Sequence, residues 1–194
     1  MAVLRLNDNE YNYHITLNIN NMDETLKKQH NADLTYMSMA FLKATLSKAQ
    51  RAKVGAIVVK EGIVISTGYN GTPRGVDNCC ESQVDGKIST KDEVIHAELN
   101  AILNMVISGN GVELRDTTIY ITFMPCIRCS ALIKQVGIKR VVYCKPYRLT
   151  NGIEFLKANG VQVDEIKEVE VYNMLSKMVQ NTIGDDYIDL NIHE

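Results

Sequence analysis

The chain has 194 residues, of which 45% are hydrophobic, and its formal net charge is -2 at pH 7. This length allows one sizeable core but leaves little room for two full domains, and the near-neutral charge disfavours nucleic acid as a partner. Apolar runs such as Val54–Val59 fall far short of the roughly 20 residues of a membrane span and the N-terminus lacks a signal peptide's apolar segment, so we expect no membrane association and a cytoplasmic protein.

The first 32 residues are predicted to form an N-terminal extension. They are polar and rich in asparagine, with an alternation of apolar and polar residues over 11–19 that favours one edge strand. From Leu34 onward the apolar residues recur at helical spacing, and Asp33 is suited to cap this helix. We expect the helix to run to about Lys48.

The next segments predict a sheet. Two β-branched runs, Val54–Val59 and Ile63–Thr67, are joined by a short turn and favour a hairpin, and a loop dense in turn residues follows at Gly68–Gly75. Helical and β patterns then alternate three times. The predicted helices cover 95–107, 126–136 and 150–159, and the predicted strands cover 117–122, 140–143 and 161–163.

This alternation predicts an α/β fold. We expect a three-layer α/β/α sandwich around a central mixed, largely parallel five-stranded sheet. Residues 33–165 would form this domain. Residues 166–194 would add a C-terminal helix, predicted from apolar residues at helical spacing, and an acidic tail.

Two short segments carry the predicted chemistry. His96-Ala97-Glu98 lies at the start of a predicted helix, and Pro125-Cys-Ile-Arg-Cys129 directly follows a predicted strand. Zinc prefers nitrogen and sulfur ligands, and catalytic zinc sites use three protein ligands and leave the fourth position to water. His96, Cys126 and Cys129 are therefore the predicted ligands, and the positive end of the helix dipole favours the thiolate form of the cysteines.

Glu98 is the predicted proton carrier of this site. Two thiolates formally neutralise the zinc ion, so the glutamate need not bind it and can move protons instead. His-x-Glu followed by Pro-Cys-x-x-Cys is the signature of zinc-dependent deaminases, in which the glutamate protonates the ring nitrogen and then the departing ammonia. A Cys-x-x-Cys pair alone is also compatible with half of a structural zinc site or with a redox couple. The sequence, however, contains no second Cys-x-x-Cys or histidine pair to complete a structural site.

From about Leu34 to Val163 the chain resembles the deoxycytidylate deaminases of the cytidine deaminase-like superfamily. The segments that carry the resemblance are Val54-Gly-Ala-Ile-Val58, Ser66-Thr-Gly-Tyr-Asn-Gly-Thr-Pro73, His96-Ala-Glu-Leu-Asn-Ala-Ile-Leu103, Pro125-Cys-Ile-Arg-Cys129 and Gly137-Ile-Lys-Arg-Val-Val-Tyr143. The resemblance implies a cytidine deaminase-like fold. It also implies hydrolytic deamination of dCMP to dUMP and ammonia, which supplies dUMP for thymidylate synthesis.

The same resemblance implies substrate contacts. Asn70 would hydrogen-bond the sugar, although an asparagine beside a glycine is equally typical of a turn. Arg51 would bind the phosphate, for which a guanidinium is suited, although a solvated surface arginine is nearly as common. Tyr147 would stack on the base or line the rim of the site. The backbone around Ala97 would meet the base.

Members of this family are commonly homohexamers that dCTP activates and dTTP inhibits, with Mg2+, at a site that involves the glycine-rich loop. By resemblance, Gly68, Tyr69 and Gly71 are the candidate effector contacts. Some members bind a second, structural zinc through a cysteine before the first strand and histidines in a longer insert. This chain has Ala52 and Lys53 there and only residues 82–95 as insert, so one zinc per subunit is predicted.

Several other functions compete with this interpretation. The chain resembles a dCMP deaminase, but a dual dCMP/dCTP enzyme would need only more room and positive charge. Deaminases of other bases, nucleosides or tRNA adenosine share the same motif pieces. A nucleotide-binding protein with a structural zinc is the alternative that is not an enzyme, and Glu98 speaks against it because a purely structural site has no use for that carboxylate.

Overall fold

The computed structural model describes residues 23–84, 86–108, 113–147 and 149–183. The chain divides into two units, residues 1–33 and 34–194. The predicted edge strand at 11–19 and the acidic tail from Asp185 lie outside the described residues.

The elements in chain order are α1 (Glu24–Ala44), β1 (Gly55–Lys60), β2 (Ile63–Tyr69), β3 (Glu81–Val84), β4 (Lys87–Thr90), α2 (Ala97–Ile107), β5 (Thr118–Phe123), α3 (Ile127–Gln135), β6 (Arg140–Lys145), α4 (Asn151–Ala158), β7 (Gln162–Glu165) and α5 (Glu168–Ile183).

The central sheet has five strands in the order β2-β1-β5-β6-β7. Strand β1 pairs antiparallel with β2 and with β5, whereas β5, β6 and β7 run parallel to one another. The parallel half follows from the helices that connect its strands, because a parallel pair needs a long crossover. The predicted mixed five-stranded sheet is confirmed.

Side chains alternate between the two faces of this sheet, and each face has its own core. Ile119 and Ile121 of β5 join a cluster with residues of α2, α3 and α4, such as Leu156. Tyr120 of the same strand points into the other cluster, which contains Met37 of α1 and Val171 of α5. Helices therefore cover both faces, and the predicted three-layer α/β/α sandwich is confirmed.

Helix α1 corrects two predicted boundaries. It begins at Glu24, ten residues before the predicted start, and ends at Ala44 rather than near Lys48. The Oδ1 atom of Asp23 accepts hydrogen bonds from the backbone N–H groups of Thr25 and Leu26, at 2.8 and 2.9 Å, and so caps the helix. Asp33, the predicted cap, lies inside the helix. The apolar stripe begins only at Leu34, which is why helical spacing alone placed the start too late.

A second sheet, the hairpin of β3 and β4, was not predicted. Its register pairs Glu81 with Thr90 and Ser82 with Ser89. Gly86 at the turn has a φ of 72°, a conformation that favours glycine. The sequence contained the signal, since Asp85-Gly86 is a preferred two-residue hairpin turn.

Helix α2 lies very close to the edge strand β2. A Cβ atom on Gly68 would lie 2.4 Å from the backbone oxygen of Ala97 and 2.4 Å from the backbone nitrogen of Ala101, so only glycine allows this approach. The side chains of Asn100 and Asn104 donate hydrogen bonds to the β2 carbonyls of Tyr69 and Thr67, each at 2.8 Å. These contacts fix the position of α2, whose first turn carries the predicted active-site residues.

None of the helices in the described ranges combines the length and the apolar character that crossing a membrane requires.

Candidate active site

The site lies at the beginnings of α2 and α3. His96 and Cys126 are the residues that immediately precede these helices, and both have extended backbone conformations. The backbone groups of Gly71 and Ile95 exchange two hydrogen bonds, at 3.1 and 2.9 Å, which hold the residue before His96 against the end of β2. A Cβ atom on Gly152 of α4 would lie 2.2 Å from the carbonyl oxygen of Pro125, so α4 packs tightly against the turn that precedes Cys126.

The three predicted zinc ligands lie together. The Nδ1 atom of His96 is 3.6 Å from the Sγ atom of Cys126 and 3.5 Å from that of Cys129. Zinc bonds of about 2.3 Å to sulfur and about 2.0–2.1 Å to histidine nitrogen separate tetrahedral ligand atoms by about 3.6 Å. The observed spacing therefore fits a zinc ion bound by these three side chains. It is the one group of three or more potential ligands found so close together in the part of the chain that the structure describes.

The pKa values of the two cysteines shift in opposite directions. Hydrogen bonds with Cys129 and His96 lower the pKa of Cys126 to about 3, so this side chain is a thiolate at neutral pH. The hydrogen bond with Cys126 raises the pKa of Cys129, and the burial of the Cys129 thiol raises it further. A zinc ion that replaced the shared proton would bind two thiolates and one imidazole, a donor set that zinc prefers.

Glu98 follows His96 by two residues and is buried. Its side chain is 4% exposed, and this burial raises the pKa of the Glu98 carboxyl, while its own backbone N–H and the charge of His96 oppose the rise. The position suits a group that must hold a proton next to a reacting molecule.

A cavity of about 200 Å³ opens beside these residues. All four predicted substrate contacts line it, namely Arg51, Asn70, Ala97 and Tyr147. The other lining residues are Ala52, Val54, Glu81, Thr90, Val94, His96, Glu98, Phe123, Met124 and Cys126. The cavity therefore combines two of the three candidate zinc ligands, two buried carboxyl groups, apolar walls and a guanidinium group.

The Asn70 amide binds the backbone of a neighbouring loop and still has hydrogen-bonding groups left for a ligand. Its Oδ1 atom accepts a hydrogen bond from the backbone of Val54 at 2.8 Å, and its Nδ2 atom donates to the carbonyl of Ala52 at 2.9 Å. An amide has two N–H donors and two acceptor lone pairs, so one of each is left after these bonds. Asn70 therefore shapes the cavity wall and keeps hydrogen-bonding capacity for a ligand.

Two lining residues, Glu81 and Thr90, were missed by sequence reasoning. Both belong to the unpredicted β3–β4 hairpin, and both contact Arg51. The Asp85-Gly86 turn signal would have indicated the hairpin, but nothing in the sequence pattern links it to Arg51.

A second cavity, of about 540 Å³, lies on the other side of the end of β2. Tyr69 and Gly71, two of the three predicted effector contacts, line it together with Lys43 and Arg74. The third, Gly68, is absent from its lining and packs against α2 instead.

The comparisons with known proteins agree with this geometry. Residues 30–145 match the family model of the cytidine and deoxycytidylate deaminase zinc-binding region. The deoxycytidylate deaminase of Saccharomyces cerevisiae is 36% identical over an alignment of 145 positions, which covers 71% of this chain and 46% of that protein. The chain thus spans less than half of the yeast relative. The deoxycytidylate deaminase of Enterobacteria phage T4 is 34% identical over an alignment of 192 positions, which covers 78% of this chain and 98% of that protein.

A solved structure shows the same fold. The dCMP deaminase of cyanophage S-TIM5, crystallised with dCMP and dUMP, is 39% identical, and the match covers 75% of this chain and 99% of that one with a TM-score of 0.63. The family match includes the His96, Glu98, Cys126 and Cys129 segments. The chain therefore belongs to the family of cytidine and deoxycytidylate deaminases that is defined by this zinc-binding region.

Proposed function

We propose that the protein hydrolyses dCMP to dUMP and ammonia. The observation that carries the proposal is the cavity that joins the His96, Cys126 and Cys129 cluster, buried Glu98 and the guanidinium of Arg51. The phage T4 and yeast relatives named as deoxycytidylate deaminases support the choice of substrate. So does the cyanophage enzyme, which holds dCMP and dUMP.

Zinc, when bound by these three side chains, supplies a Lewis acid that lowers the pKa of water to about 7. Glu98 takes a proton from the attacking water and passes it to the ring nitrogen of cytosine. The water oxygen adds at the ring carbon that bears the amino group. Glu98 then takes the remaining proton from this new hydroxyl group and gives it to the amino group, and the bond from the ring carbon to the amino nitrogen breaks to release ammonia. The raised pKa of Glu98 suits a group that must be protonated between these steps.

The remaining cavity residues orient the nucleotide. The backbone around Ala97 meets the base, while Asn70 hydrogen-bonds the sugar through its remaining N–H and lone pair. Arg51 binds the phosphate, because a guanidinium forms charge-assisted hydrogen bonds with phosphate oxygens. Tyr147 lines the rim, where an aromatic ring can stack on the base.

The test compares deoxycytidine, dCMP, dCTP and CMP as substrates of the zinc-loaded protein. The loss of cytosine absorbance and the release of ammonia are followed together. We expect kcat/KM for dCMP to exceed that for deoxycytidine by about 10- to 100-fold, which corresponds to one hydrogen-bonded charge pair. Comparable turnover of dCTP would indicate a dual dCMP/dCTP enzyme, and no turnover of any of the four compounds would contradict the proposal.

We also propose that nucleotide effectors, dCTP as activator and dTTP as inhibitor, bind in the second cavity. The ammonium group of Lys43 lies 5.5 Å from the ring centroid of Tyr69, and Arg74 lines the same cavity, so cations and an aromatic ring are available to an anionic nucleotide. The described residues that line this cavity include no carboxylate, and on this proposal Mg2+ would arrive bound to the phosphates of the effector. Tyr69 and Asn70 are consecutive and line different cavities, which offers a short connection between them.

Replacing Arg74 with alanine tests this regulation. We expect the concentration of dCTP that gives half of its effect on dCMP turnover to rise about tenfold, because a charged hydrogen-bond donor is lost. Lys157→Ala, which removes an exposed cation of α4 outside both cavities, is the matched control. If neither dCTP nor dTTP changes the dependence of the rate on dCMP in the unaltered protein, the proposed regulation is wrong.

Assembly into a homo-oligomer, with the hexamer as the expected form, is a further part of the proposal. Helices α1 and α2 carry exposed apolar side chains, among them Leu42 at 58%, Val106 at 73% and Ile107 at 60% exposure. Apolar groups of this kind are buried when subunits associate. We retain residues 33–165 as the proposed deaminase domain and expect one zinc ion per subunit.

A further inference from the structure

Glu81 is a buried carboxylate for which the deamination steps have no use. It is the first residue of β3, its side chain is 7% exposed, and it lines the same cavity as His96 and Glu98. Burying a carboxylate is costly unless hydrogen bonds replace its water. The Oε1 atom of Glu81 accepts two such bonds, from the backbone N–H groups of Gln50 at 3.0 Å and Arg51 at 3.2 Å.

These two bonds hold a segment that has no regular structure of its own. Gln50 and Arg51 lie between the end of α1 and the start of β1, where no helix or strand fixes the backbone. An ionised acceptor makes each bond roughly twice as strong as a neutral one. Glu81 therefore fixes the backbone of the residue that carries the predicted phosphate-binding group.

Thr90, which lies opposite Glu81, binds the guanidinium group of Arg51. Thr90 of β4 is the direct cross-strand partner of Glu81, and its Oγ1 atom accepts a hydrogen bond from Nη1 of Arg51 at 3.0 Å. One cross-strand pair thus contacts both the backbone and the guanidinium of Arg51. A guanidinium has five N–H donors, so donors are left for the oxygens of an anion in the cavity.

We propose that Glu81 is a positioning residue which, together with Thr90, holds Arg51 in place for the phosphate of the nucleotide and thereby sets the preference for dCMP over deoxycytidine. The inference rests on the proposed function, because it requires a substrate with a phosphate group in this cavity. It assigns a role to the β3–β4 hairpin, which stands outside the central sheet.

A purely structural role for Glu81 predicts a different result. If the carboxylate only stabilised the hairpin, its loss would lower activity on dCMP and on deoxycytidine by the same factor. If it positions Arg51, the loss falls mainly on ligands that carry phosphate. The ratio of the two kcat/KM values therefore separates the two roles.

The test uses the zinc-loaded full chain with Glu81→Ala, Glu81→Gln and Thr90→Val. We expect Glu81→Ala to raise KM for dCMP about tenfold, to change kcat by less than about twofold, and to lower the preference for dCMP over deoxycytidine about tenfold. Glu81→Gln should restore most of this preference, because its amide oxygen can accept the same two N–H groups. Thr90→Val should lower the preference by a smaller factor. Gln83→Ala, an exposed position on β3 outside the cavity, is the control.

Binding of the product measures the same property without turnover. We expect calorimetry to show about tenfold weaker binding of dUMP to Glu81→Ala, with a smaller change for deoxyuridine. If Glu81→Ala does not fold, Thr90→Val decides by the same ratio. An unchanged ratio in all folded variants overturns the inference. The inference is also overturned if the wild-type protein binds dUMP no more tightly than deoxyuridine. If that protein still deaminates deoxycytidine, the proposed chemistry remains valid although the inference about Glu81 fails.

Discussion

Replacing Glu98 with glutamine is expected to lower kcat for dCMP by about 10²- to 10⁴-fold, the usual contribution of a positioned proton carrier. Glutamine has nearly the same size and can accept hydrogen bonds, but its amide cannot pass a proton to the base and to the departing ammonia. Burial raises the pKa of the Glu98 carboxyl and so favours its neutral form. The fold should therefore tolerate the neutral amide of glutamine at this position. The rate of dCMP turnover and the zinc content of the purified protein are measured together.

The zinc content shows whether activity falls because the proton carrier is lost or because the metal is lost. Because the three candidate ligands are His96, Cys126 and Cys129, Glu98→Gln should bind as much zinc as the unaltered protein. Glu93→Gln, an exposed glutamate three residues before His96, provides the matched control and should keep full activity. A Glu98→Gln protein with normal zinc, normal nucleotide binding and unchanged kcat would show that the proton is carried by another group.

The three candidate zinc ligands could be predicted from the sequence because they belong to two short motifs, His-x-Glu and Pro-Cys-x-x-Cys, which together form a known signature. His96 and Cys126 each lie directly before a helix, and Cys126 and Cys129 are separated by a single helical turn. Strand β5 ends at Phe123 and α3 begins at Ile127, so Cys126 lies at the edge of the central sheet. The strands themselves were predictable for a similar reason, since β1, β5 and β6 are covered on both faces and read as continuous apolar runs.

The cavity wall could not be predicted in the same way. Glu81 and Arg51 are 30 positions apart, and their contact depends on how the hairpin folds back onto the segment after α1. The pairing of the Asn70 amide with the backbone at Ala52 and Val54 is likewise a long-range contact between two loops. Spacing rules describe neighbours on one helix or strand, and they do not reach contacts of this kind.

Gly68 shows that a residue of a recognised motif can be required for packing, whatever its part in ligand binding. It belongs to the segment that carries the family resemblance, and its neighbour Tyr69 lines the second cavity. Yet a Cβ atom at Gly68 would lie 2.4 Å from backbone atoms of α2. The requirement for glycine at this position is therefore explained by helix packing, and the resemblance alone does not distinguish packing from ligand binding.

Replacing Cys129 with serine is expected to abolish zinc binding and, with it, deamination. The Cys129 side chain is 5% exposed, and its Sγ atom lies 3.5 Å from Nδ1 of His96. A serine hydroxyl at this position stays protonated and is a poor ligand for zinc. We therefore expect zinc affinity to fall by at least about 100-fold, which is more than the loss of a hydrogen bond to a zinc ligand would cost. Elemental analysis of the purified protein and titration with a zinc-binding dye measure the loss. Cys79→Ser, at an exposed cysteine outside the cluster, should retain zinc and activity. Full zinc content in Cys129→Ser would mean that His96 and Cys126 recruit a different third ligand, and the assignment of the Cys-x-x-Cys pair would have to be abandoned.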